Sequence, residues 1–160
     1  MKSKQRLYRA MVGVHLVVFL LAAFPVYAQE NTETRLSITP REDGFEGVFR
    51  RGDAIYHLEN YVKEKSFKTS IYRPNGDVLI EARREGALTF ISLPTIELKL
   101  DRDNPAPFSS VEITAIQAFT KSEDAVVVRQ IVYEVLAKRK AEMRPLVTGF
   151  SVIAMLLGEG

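Results

Sequence analysis

From residue 36 onward, apolar and polar side chains alternate in short runs separated by turn residues, the period-two pattern of strands with one buried face. Leu36 and Ile38 alternate with Ser37 and Thr39, and Pro40 is expected to end that strand. Arg41-Glu42-Asp43-Gly44 reads as a turn into a strand over 45–50, and Arg51-Gly52-Asp53 as the next turn. Residues 54–63 fit either period. Ile55, Leu58 and Val62 suit a helix face, while Tyr56, Leu58 and Val62 suit alternate strand positions, and the aromatic and β-branched content weighs toward strand. Residues 67–72 alternate, Pro74-Asn75-Gly76-Asp77 turns the chain, and 78–82 returns. Asn-Gly there predicts a type I′ hairpin turn. A strand over 87–93 is interrupted by Pro94, after which Ile96, Leu98 and Leu100 alternate with Glu97 and Lys99. Beyond the polar loop 101–107, Val111, Ile113, Ala115, Gln117 and Phe119 fall on one side of an expected further strand.

The period changes after Thr120. Val128, Ile131, Val132, Val135 and Leu136 make a stripe at helical spacing. Ser122 is placed as an N-cap, Glu123 and Asp124 suit the positive end, and Lys138, Arg139 and Lys140 suit the negative end. A strand over 126–135 competes, because β-branched residues dominate there, but the order of charges favours a helix over 122–144 that Pro145 stops. The expected fold is α+β: an antiparallel β-meander of about five to seven strands packed against one long C-terminal helix. An apolar run, 146–157, closes the chain.

The first 28 residues have a different character. Lys2, Lys4, Arg6 and Arg9 precede an apolar stretch of 14 residues, Met11 to Phe24, then Pro25 and Val26-Tyr27-Ala28. That order predicts a secretory signal peptide cut after Ala28. A membrane span needs about 20 apolar residues, more than this stretch offers. The mature domain is then 29–160, with 29–121 mainly β, and its location is periplasmic or secreted. Cleavage changes the charge. Four of the 22 basic residues go with the leader, leaving 18 against 20 acids and a net charge of −2 in place of +2. A near-neutral, mixed surface gives no footprint for nucleic acid. The chain has no cysteine, so the domain is held by its core without disulfides.

Candidate chemistry is sparse. His57 is the one histidine of the mature part, with Asp53 and Glu59 nearby, and on a strand His57 and Glu59 share a face. The chain has no Gly-x-Ser-x-Gly elbow, and the spacing alone sets up no triad. One histidine and no cysteine also leave no usual zinc ligand set, and no cofactor motif is found. Asp101, Asp103 and Asn104 offer oxygen ligands for calcium, but Pro105 stands where an EF-hand needs its third ligand. Arg51-Gly52-Asp53 is an integrin-type tripeptide made of residues a turn favours anyway. The pairs Arg50-Arg51 and Arg83-Arg84 and the run 138–140 read as solvated faces, since acids lie close to each.

The expected function is that of an exported, non-catalytic cell-envelope protein acting as a binding or accessory module. Its rivals are a small carboxylate-based hydrolase using His57 and Glu59, and a peripheral membrane or oligomerising protein that uses the apolar tail. In the tail, Leu146, Phe150, Ile153 and Leu156 are the candidate contacts for an envelope protein or membrane surface. Burial as a last core element is the favoured alternative for them.

Overall fold

The computed structural model describes residues 35–138 and 148–158. The leader reading of 1–28, the helix end over 139–144 and Leu146 lie outside the described residues. Alternation over 35–101 resolves into seven strands: β1 (Arg35–Arg41), β2 (Gly44–Arg51), β3 (Ala54–Lys63), β4 (Ser66–Tyr72), β5 (Val78–Glu85), β6 (Leu88–Leu93) and β7 (Ile96–Asp101). They pair antiparallel in sequence order, a meander from β1 to β7. Residues 54–63 are strand because both edges of β3 are taken by hydrogen-bonded neighbours. Pro40 lies inside β1 and does not end it, which an edge strand tolerates.

The register puts one apolar set on one face. Phe49 faces Leu36 and Tyr56 across the ladders, Leu58 faces Gly47 and Ile71, Ile71 faces Ile80, and Ile91 faces Ala82 and Leu98. Phe45, Phe49, Leu58, Ile71, Ile80 and Leu98 are fully or almost fully buried. Burying side chains of this size, at roughly 1.5–3 kcal/mol each, drives the sheet to be covered on this inner face.

The hairpin between β4 and β5 is present, but its turn is not type I′. Arg73 O accepts from Gly76 N at 2.9 Å and Arg73 N donates to Asp77 O at 2.8 Å, while Gly76 takes φ 89° and Asn75 does not have positive φ. This is a three-residue loop with glycine at its left-handed position. Pro74, with its fixed negative φ, suits the first corner of such a turn.

Among the described residues three helices follow the sheet, in place of the one long helix expected: α1 (Ser110–Thr120), α2 (Glu123–Lys138) and α3 (Thr148–Leu156). The expected strand over 111–119 is α1. Its start is fixed by a capping box in which Glu112 N donates to Ser109 Oγ and Ser109 N donates to Glu112 Oε2 at 2.7 Å. Two N–H groups left open at the helix start are satisfied reciprocally, which outweighs the apolar alternation that follows. That alternation does not define a buried face, since Val111 and Ile113 are exposed while Phe119 is buried.

In α2 four of the five stripe residues, Val128, Ile131, Val132 and Val135, are buried, and Leu136 is half-buried. Ser122 Oγ accepts from Ala125 N at 3.2 Å, as an N-cap does. Arg73 donates to Asp124 Oδ2 at 2.6 Å, tying the hairpin to the start of α2, and Lys138 Nζ donates to Leu36 O on β1. Helix α3 lies on β4 and β5, with Phe150 stacked on Phe45 at 5.7 Å between ring centres. No helix among the described residues is long and apolar enough to cross a membrane.

Candidate functional site

The two faces of the sheet differ, the outer one polar and the inner one apolar. On the outer face, His57 and Glu59 do share a side of β3, as their spacing requires. A shallow hollow of about 160 Å³ lies there, bordered by Ser37, Thr39, Glu46, His57 and Glu59. Glu46 and Glu59 are direct cross-strand partners, a like-charge pair that costs stability unless each finds a donor. Each does. Arg41 donates to Glu46 Oε2 at 2.7 Å, and the Tyr72 hydroxyl donates to Glu59 Oε2 at 2.8 Å. Burial, then the Glu59 hydrogen bond, pushes the Tyr72 phenol above the ordinary tyrosine value. His57 is exposed, and no side-chain hydrogen bond orients it among the described residues.

The remainder of the outer face is a web of paired charges. Glu81 accepts from Ser70 Oγ at 2.9 Å and lies 3.3 Å from Lys68 Nζ. Arg83 lies over the Phe90 ring and bridges Glu97 and Glu85 at 2.8 and 3.3 Å. The Arg83–Glu97 hydrogen bond raises the Arg83 pKa and lowers that of Glu97. In the loop after β7, Asp101 Oδ1 accepts from the backbone N–H of Asp103 and Asn104, so this carboxylate caps its own turn. No group of three or more His, Asp or Glu side chains is arranged for a metal ion among the described residues. Gly52 and Asp53 of the Arg-Gly-Asp tripeptide are exposed in the β2–β3 turn.

The inner face holds a different site. Between the last three strands and the C-terminal half of α3 lies a cleft of about 330 Å³. Ile91 and Leu100 form its sheet wall, and Val152, Met155 and Leu156 form its helix wall. Phe108, just ahead of α1, closes one side. Met155 is 65% exposed and Leu100 38%, so apolar surface remains open to solvent there. At the polar end stand Arg84 and Thr89, cross-strand partners on β5 and β6. Arg84 Nε donates to Thr89 Oγ1 at 3.3 Å, and the guanidinium sits 5.1 Å from the centre of the Phe67 ring.

Phe150 and Ile153, two of the candidate partner contacts, are fully buried beneath α3, and the core occupies the surface they offered to a partner. Leu156 is partly buried and lines the cleft, and Leu146 lies outside the described residues. Of the pair Arg83-Arg84, read as a solvated face with acids close by, both members are half-buried, and Arg83 alone has acids beside it among the described residues. Adjacent strand residues point to opposite faces, so Arg84 joins Ile80 and Ala82 on the inner side. Counting that period from Ile80 finds it in the sequence.

No protein-family model, no curated protein and no solved structure matches the chain.

Proposed function

We propose that the chain is an exported, non-catalytic binding module of the cell envelope whose inner cleft takes a small, mostly apolar ligand. The observation that carries this reading is the cleft itself. Its volume of about 330 Å³ lies within the range of small-molecule sites, its walls are apolar, and its polar groups gather at one end. Helix α3 supports the same reading, because its inward residues Phe150 and Ile153 anchor it while Val152, Met155 and Leu156 face the cleft. On the outer face, Glu46 and Glu59 are already engaged by Arg41 and Tyr72, an arrangement suited to a stable surface. The leader pattern over 1–28 supports export.

Two measurements test the proposal. The chain has no tryptophan, so Met155→Trp places a single fluorescent reporter at the mouth of the cleft. A neutral, apolar naphthylamine dye is expected to shift that emission with saturation at one dye per chain; an unresponsive reporter in a folded variant would sink the binding reading. For export, N-terminal sequencing of protein recovered from an expressing bacterial host is expected to begin at Gln29. An intact Met1 on the exported or membrane fraction would overturn the leader assignment.

A further inference from the structure

Arginine is always charged at physiological pH, and a half-buried guanidinium on the inner face of a sheet, as Arg84 is, gains from a counter-charge. Arg84 has none. The salt bridges of the described residues engage Arg41, Lys68, Arg73, Arg83 and Arg102, and Arg84 is not among them. What Arg84 has is neutral: the Thr89 hydroxyl on Nε and the face of Phe67. Both bias its orientation. Neither is an anion.

With Nε committed to Thr89, the two terminal nitrogens of the fork are free among the described residues, and Arg84 lines the cleft together with Ile91, Leu100, Phe108 and Val152. Thr89 Oγ1 accepts from Arg84, so its own proton is available to an acceptor arriving from the cleft. A cation and a hydroxyl donor side by side in the lining of a half-open apolar cleft match a molecule with one acidic head and one alkyl tail.

Resting on the cleft as the binding site, we propose that its ligand is a single-chain carboxylate, a free fatty-acid-type anion, with the head on Arg84 and Thr89 and the tail between Leu100, Phe108 and Met155. The volume argues for one chain: at about 330 Å³ it stands at the small end of the range for ligand sites. The contact between the carboxylate and the two terminal nitrogens of Arg84 is a charge-assisted, bidentate pair that a neutral head group does not make.

The test compares decanoate with decanol, which share a tail and differ in the head, using the Met155→Trp reporter and calorimetry on the unlabelled chain below micelle-forming concentrations. Decanoate is expected to bind at least about tenfold tighter, since charge-assisted hydrogen bonds are worth more than neutral ones. Arg84→Met, which keeps an unbranched stem, is expected to remove that advantage, so that the two probes bind alike. Arg84→Lys is expected to restore part of it. Equal affinity for the two probes in the wild-type chain overturns the anion assignment while leaving the cleft reading standing, and it needs no variant to fold. Binding of neither probe, with a silent dye, overturns both. Sedimentation with phosphatidylglycerol vesicles, with no uptake of decanoate, would assign the charge to a membrane surface and overturn the free-carboxylate proposal.

Discussion

Gly149 and Thr69 meet without room for a side-chain carbon between them. A Cβ built on Gly149 would overlap the Thr69 hydroxyl, stand 2.6 Å from Thr69 Cβ and come 3.1 Å from the Phe67 ring. Helix α3 is therefore seated on β4 by the absence of a side chain at its second residue. That seat sets where Val152, Met155 and Leu156 fall along the cleft.

Gly149→Ala is expected to lift α3 from the sheet. Overpacking of this kind costs about 1–3 kcal/mol, more than alanine's better helix propensity returns. Thermal unfolding followed by circular dichroism checks it, together with dye binding, which should weaken. A melting temperature equal to or above that of the wild type would mean that the helix has slack at this contact.

Beneath the same contact, Thr69 Oγ1 donates to Asn60 Oδ1 at 2.6 Å, and both residues are fully buried. Thr69→Val keeps the shape and removes the donor. The expected loss is about 1–3 kcal/mol, the usual penalty for breaking a buried polar contact. Urea unfolding reads it directly, and an unchanged midpoint would show that the hydroxyl adds nothing there.

The capping box of α1 gives a pH dependence with a defined sign. Hydrogen bonds from the Ser109 side chain, then from the Ser109 backbone, hold the Glu112 carboxyl below the ordinary glutamate value. A depressed folded-state pKa means stability present above the unfolded value and lost as pH falls through the lower, folded value. Acid should thus loosen the start of α1, visible as a lower protection factor for the Glu112 amide relative to its intrinsic exchange rate at each pH. Ser109→Ala should remove about 1 kcal/mol at neutral pH. It should also bring the Glu112 titration, read by carbon NMR, back toward its ordinary position.

Tyr72 titrates in the opposite sense. Its phenol is raised by burial first and by the Glu59 hydrogen bond second. A raised folded-state value contributes stability below the unfolded tyrosine pKa, and that contribution is lost as pH climbs through the higher, folded value. Glu59→Gln should lower the Tyr72 titration part of the way, because burial remains. Ultraviolet difference titration against Tyr72→Phe isolates this group from the other tyrosines, and no displacement at all would remove Glu59 as a cause.

The strands of this protein were legible in the sequence because period-two alternation, Gly76 at a turn and Pro94 between β6 and β7 are local signals. The stripe of α2 and its Ser122 cap were legible for the same reason. Helix α1 was also written locally, in Ser109 and Glu112, but the alternating apolar residues behind them gave a competing signal. Other features depended on residues far apart in the chain. That β3 is strand follows from β2 and β4 on either side of it. That Phe150 and Ile153 are buried follows from where α3 lands, on strands some 80 residues earlier. The cleft belongs to this second class. Arg84, Phe108 and Met155 carry no motif between them, and only the folding of three distant segments around one sheet end makes a cation and an apolar channel into a single site. Local propensity acts within a few residues, whereas burial and charge compensation depend on which surfaces tertiary packing brings together.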